Sequence, residues 1–119
     1  MSRIRLSAAT VGVVVVGVAL LAGSAAAAQS IVVKETDYKI KFASKPKAGK
    51  VTFVVKNMGR DPRGHDLWIR GGGKTAHTKI LKKGKSAKLT MTLKKGVRYR
   101  AWCSVDSHVK FGMVTHFKT

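Results

Sequence analysis

Cys103, His108 and Met113 stand near the C-terminus with four residues between each successive pair. They occupy one loop between two alternating runs, Val97–Cys103 and Met113–Phe117. A fourth residue with donor chemistry, His65, follows the turn-rich segment Asn57–Gly64 and opens the short run Asp66–Arg70. Singly, each has a plain explanation. An isolated Cys is commonly a small buried hydrophobe, a Met is commonly core, and a His is commonly on the surface. Together they make a thiolate, two imidazoles and a weak thioether, the His₂Cys trigonal set with a long axial Met of an electron-transfer copper centre. Soft sulfur favours the cuprous ion and imidazole serves both oxidation states. A rigid scaffold that holds one compromise geometry leaves little to rearrange when an electron arrives. His77, after a Gly-rich stretch, and His116, near the C-terminus, are not assigned to this set.

The elements that must hold these residues read as strands. No window after residue 28 shows a helical period over ten or more residues, whereas short alternating runs recur. Strands are expected over Ser30–Thr36, Tyr38–Phe42, Val51–Lys56, Asp66–Arg70, Lys88–Leu93, Val97–Cys103 and Met113–Phe117. In the second run Tyr38, Ile40 and Phe42 alternate with Lys39 and Lys41. Gly and Pro clusters at Pro46–Gly49, Asn57–Gly64, Gly71–Gly73, Gly84 and Gly96 separate the runs. Short strands at this spacing indicate a single antiparallel β-sandwich or barrel.

The Asn57-x-Gly59 turn before His65, the Tyr99-x-Ala101-x-Cys103 strand and the Cys–His–Met loop resemble the cupredoxins, the blue copper proteins of the plastocyanin and azurin type. The loop spacing is most similar to the auracyanin and rusticyanin branches. The resemblance implies an all-β, Greek-key β-sandwich of about seven to eight strands. It implies one type 1 copper, held by His65, Cys103, His108 and Met113, and a role in electron transfer rather than catalysis. Gly64 stands where azurin-like sites bring a glycine carbonyl towards the metal, although a turn glycine needs no such role. Asp66 replaces the usual Asn or Ser that ties the two ligand loops together. It can accept an N–H from the Ser104 region, lowering the potential by its charge, or it can turn to solvent and pair with a Lys or Arg. In the family the loop His exposes a ring edge within an apolar patch where electrons pass, and Met58, Val109, Phe111 and Gly112 could supply that patch here. Trp102, beside Cys103, matches the aromatic position linked in plastocyanins to a second docking surface. Its plainer role is packing or outer-face cover.

Composition narrows the remaining classes. One Cys among 119 residues excludes an internal disulfide, a CxxC redox pair, a four-Cys zinc or iron–sulfur site and the two-Cys dinuclear copper centre. Two spare His cannot build the further copper site of a multicopper oxidase or nitrite reductase. Twenty-four Lys+Arg against 5 Asp+Glu give a formal charge of +19, which suits acidic redox partners or an anionic membrane or wall. Edge protection and solvated outer faces account for many of these lysines. Nucleic acid is not expected, because no binding motif or aromatic stacking platform is legible. Residues 1–28 carry Arg3 and Arg5, an uncharged run from Leu6, and Ala26-Ala27-Ala28 before Gln29, the layout of an export signal or, uncleaved, an anchor. A monomeric domain over 29–119, periplasmic or extracellular, is therefore expected. Taking Arg3 and Arg5 from the 24 basic residues leaves 22 against 5 acidic ones, or +17. Copper storage or resistance without electron shuttling and retention on a polyanionic surface are the alternative functions.

Overall fold

The computed structural model describes residues 28–119, so the expected export signal lies outside the described residues but for Ala28. Eight strands form: β1 (Gln29–Thr36), β2 (Lys39–Phe42), β3 (Gly49–Asn57), β4 (Trp68–Gly71), β5 (Lys74–His77), β6 (Ser86–Leu93), β7 (Arg98–Trp102) and β8 (Val114–Lys118). They make two four-stranded sheets, ordered β2-β1-β3-β6 and β5-β4-β7-β8. The connections β3–β4, β5–β6 and β6–β7 cross between sheets, which gives the all-β Greek-key sandwich. Among the described residues there is no helix, and none is long and apolar enough to cross a membrane.

Alternation drives the layering. Ile31 and Val33 on β1, Val51, Phe53 and Val55 on β3, and Leu89, Met91 and Leu93 on β6 face inward. They meet Ile69, Tyr99 and Ala101 of the second sheet in one core. Burying each of the larger side chains contributes about 1.5–3 kcal/mol. The interleaved lysines, such as Lys50 and Lys88, are exposed and leave the outer face charged.

Three details differ from the sequence reading. The β1–β3 pair is parallel, Glu35 lying opposite Asn57, so the sandwich is mixed rather than antiparallel. β5 was hidden because Gly71-Gly72-Gly73 reads as punctuation. It is a hairpin turn with Gly72 and Gly73 at positive φ, and Lys74–His77 returns along β4. Tyr38 belongs to the β1–β2 turn rather than to β2, and this places its ring over the loop His.

The pairings gather one end of the sandwich. Because β1 and β3 run parallel, the segments after both strands leave at the same edge. The β4–β7 register sets Trp68 against Trp102, which brings His65–Asp66 beside Cys103–Ser104. The β7–β8 register sets Trp102 against Val114, which brings Cys103 beside Met113.

Candidate metal centre

The N-terminal half of the site is shaped by close backbone packing. Asn57 is buried; its Oδ1 accepts the Gly59 N–H at 2.8 Å and its Nδ2 donates to the Leu81 carbonyl at 2.7 Å. A Cβ at Gly59 would run into Asp37 and come within 2.7 Å of His65 Nε2, so this turn position has no room for a side chain. Gly64 takes φ +83, with the Leu81 carbonyl 2.5 Å from where a Cβ would sit. His65 follows, fixed by paired backbone hydrogen bonds with Leu81 of 3.0 and 2.7 Å. The demand on Gly64 is thus conformational and steric.

The C-terminal half is the loop between β7 and β8. Cys103 N donates to the Met113 carbonyl and Met113 N to the His108 carbonyl, at 3.2 and 3.0 Å. This closes the loop on itself and holds Cys103, His108 and Met113 together at the backbone. All three side chains, and that of His65, are fully buried.

The donor atoms converge. His65 Nδ1 lies 3.1 Å from His108 Nδ1, and Cys103 Sγ lies 3.4 Å from His108 Nδ1 and 3.9 Å from His65 Nδ1. The outer nitrogens are bonded to carboxylates: His65 Nε2 donates to Asp37 Oδ1 at 2.7 Å, and His108 Nε2 donates to Asp61 Oδ2 at 3.0 Å. With the ring protons engaged there, both Nδ1 atoms face inward with lone pairs, leaving only the thiol proton among three donors. Burial pushes the Cys103 thiol up to about 12, so a metal taking the thiolate displaces that proton. Two imidazole lone pairs and a thiol at mutual contact, with a buried thioether residue beside them, fit a soft or borderline cation such as copper.

The residues behind the rings are the ones sequence reasoning missed. Asp61 accepts from Arg63 Nε and Nη2 at 3.2 and 2.9 Å and from the Tyr38 hydroxyl at 3.0 Å, besides His108. The Arg63 guanidinium, followed by its backbone N–H, holds Asp61 well below the usual carboxylate range. For Asp37, burial works the other way. The N–H of Arg60, then the His65 ring, outweigh it and lower Asp37 below its ordinary value. A signal existed: in a chain with 5 acidic and 24 basic residues, each retained acid is a candidate for a specific task. Asp37, Asp61 and Asp66 all bond to the His65 and His108 rings or to the loops that carry them.

Asp66 turns inward rather than to solvent. Its Oδ1 accepts the Ser104 N–H at 2.7 Å, and its Oδ2 accepts the Ser104 hydroxyl and the Trp68 indole N–H, the latter at 2.9 Å. It therefore ties the His65 segment to the residue after Cys103, as the acceptor reading expected.

The expected exposed edge of His108 is a correction. The ring is 0% exposed and lies under Tyr38 (centroids 4.9 Å apart), Asp61 and Arg63. Met58 (58% exposed) and Phe111 (57%) do stand outside, with Val109 half-buried and Gly112 exposed. Phe111 packs on Tyr38 at 4.8 Å, so this patch covers the site rather than framing an open ring edge. Trp102 is half-buried and stacks with Trp68 at 5.8 Å. His77, left out of the site, stacks on Trp68 at 4.0 Å. An aromatic row invisible in the sequence thus crosses the outer face of the second sheet.

No family model matches the sequence, and no curated protein matches it. Solved structures do. An azurin (Az-iso2) from Methylomonas sp. strain J aligns at 15% identity over 76% of this chain and 96% of its own, with a TM-score of 0.59. Dithionite-reduced auracyanin from the photosynthetic bacterium Roseiflexus castenholzii aligns at 20% identity over 80% and 98%, with a TM-score of 0.58. Auracyanin B aligns at 17% identity over 76% and 88%, with a TM-score of 0.62. At these identities the shared property is the fold: the chain is a cupredoxin-fold β-sandwich.

Proposed function

We propose that this chain is a small electron carrier holding one copper ion on His65 Nδ1, Cys103 Sγ and His108 Nδ1, with Met113 as a weak fourth ligand. The observation that carries the reading is the convergence of two inward Nδ1 atoms and one thiol, all within 4.8 Å, in a fully buried pocket. Bound copper would supply one-electron cuprous–cupric chemistry there. The protein supplies the rest. Asp37 and Asp61 fix the tautomer and tilt of the two rings, and Asp66 locks the His65 segment to the Cys103 loop. Tyr38, Met113 and the loop backbone keep water out. A donor set this enclosed favours retention of the ion over its hand-over, which weighs against a delivery role. The auracyanin match was solved in a reduced state, in keeping with a redox carrier. Export to the periplasm or cell surface belongs to the same reading and rests on residues 1–28. So do acidic redox partners, which rest on the excess of basic residues. The test is colour: the cupric protein should show an intense visible thiolate-to-copper band. Cys103→Ala should abolish it, because the chain has no other thiol. A band that survives in that variant would end the type 1 reading.

A further inference from the structure

The way past the His108 ring is covered, and a different structure leads out of the site. Trp102 directly precedes Cys103, Trp68 is its register partner on β4, and His77 is the register partner of Trp68 on β5, the edge strand. Trp102 and Trp68 stack with centroids 5.8 Å apart and planes 30° apart. Trp68 and His77 stack at 4.0 Å and 9°, nearly parallel. The Arg100 guanidinium lies 5.0 Å from the Trp102 ring centroid. The row thus crosses three strands, from the neighbour of the buried thiol to an exposed imidazole at the sheet edge. It has a second tie to the site, since Trp68 Nε1 donates to Asp66, which also accepts the Ser104 N–H.

Two features say what the row is for. β5 and β7 flank β4, so Trp68 is covered by His77 on one side and by Trp102 on the other. Rings turned on each other offer no free face to an incoming base or sugar, unlike a nucleic-acid platform. They do place three aromatic rings in close succession, through which electronic coupling falls off more slowly than across an empty gap. The charge is equally one-sided. None of the four strands of this sheet contains an Asp or Glu, and Arg70 and Arg100, opposite one another in register, stand on the same outer face as the tryptophans.

We propose that electrons reach the copper centre along His77, Trp68 and Trp102, from an acidic redox protein docked against Arg70 and Arg100. This rests on the copper reading above. One electron leaves the partner's reduced cofactor and the cupric ion becomes cuprous. No bond breaks and no proton moves within this chain.

Stopped-flow reduction of the copper-loaded full chain tests it. One arm uses fully reduced flavodoxin, an acidic one-electron donor, and the other uses ascorbate, a small reductant that needs no docking surface. Trp68→Leu and His77→Leu should each slow the flavodoxin reaction several-fold relative to the ascorbate reaction, and Trp68→Phe, which keeps a ring but removes the indole N–H, should restore most of the rate. Arg70→Glu with Arg100→Glu should lower the flavodoxin rate by about tenfold or more at low salt, with a flatter salt dependence. Lys50→Glu with Lys88→Glu, the same charge change on the opposite sheet, should cost far less. Should Trp68→Leu fail to fold, His77→Leu on the exposed edge carries the test. Equal slowing in both arms would place the defect in the copper centre and overturn the proposal. So would a slowing by Phe111→Ser that Trp68→Leu and His77→Leu do not share, which would return the route to the His108 face. Heparin binding that is lost in the arginine variants while flavodoxin reduction stays unchanged would make the face a polyanion site. A wild-type cupric protein without the intense visible band would instead refute the copper reading itself, through a separate readout.

Discussion

His108 Nε2 lies 3.0 Å from Asp61 Oδ2, and Asp61 gives the same carboxylate to Arg63 and to the Tyr38 hydroxyl. One acid thereby orients the His108 ring, anchors the arginine beside it and joins the β1–β2 turn to the segment before β4. His65 has a matching arrangement with Asp37 at 2.7 Å. Both imidazoles are held from behind by carboxylates that stay ionised, which raises their donor strength towards a cation.

Replacing that charge should be visible in the potential. Asp61→Asn keeps the shape but removes a negative charge bonded to a ligand ring, so the cupric state loses stabilisation and the midpoint potential rises. Spectroelectrochemical titration checks this. An unchanged potential would mean that Arg63 already neutralises Asp61 as far as the metal is concerned.

A weak-donor role for Met113 should be separable from copper binding. Met113→Leu keeps an apolar side chain of similar volume in a fully buried position, so the fold should change by less than about 1.5 kcal/mol. Copper should stay bound and the potential should rise, because a weak donor that helps the cupric state is gone. Metal analysis together with redox titration reads both. Complete loss of copper would show that Met113 holds the ion more strongly than an axial thioether does.

Asp66 accepts three hydrogen bonds, which an amide cannot reproduce. In Asp66→Asn one terminal atom becomes a donor and faces either Ser104 or the Trp68 indole, leaving a buried polar group without its partner. A loss of about 1–3 kcal/mol is expected in chemical denaturation, with a rise in potential from the lost charge. Equal stability would mean that water or a flipped Ser104 hydroxyl replaces the missing acceptor.

Glu35 is 0% exposed on the inner face of β1, and among the described residues neither of its carboxyl oxygens has a hydrogen-bond partner. Burial, and then the nearby charge of Asp66, push it from 4.5 up to about 8. The folded state therefore holds this proton more tightly than the unfolded chain. Its contribution to stability is complete below about pH 4.5 and is lost as pH rises to about 8, at a slope of at most about 1.4 kcal/mol per pH unit. Glu35→Leu should remove that slope and be more stable than the parent at pH 9. Denaturation series at pH 5, 7 and 9 measure the difference, and parallel curves for the two proteins would refute a protonated buried Glu35.

Much of this was legible along the chain because it depends on local rules. Inward and outward residues alternate with period two, so Val51, Phe53 and Val55 announced a strand and its buried face before any partner was known. Cys103, His108 and Met113 lie on one short loop, so their meeting needed only that loop to close, and His65 was found through its turn and its chemistry. What the tertiary structure alone decided came from pairing between distant segments. The parallel β1–β3 register delivers Asp37 and Tyr38 to the same end as Asp61, and with them the burial of His108. A Gly-rich turn folding β5 onto β4 stacks His77 on Trp68, and the β4–β7 register brings Trp68 to Trp102. Residues 28 apart, such as His65 and Asp37, leave no periodic trace of their contact, because a register is a relation between two strands and neither strand carries it alone.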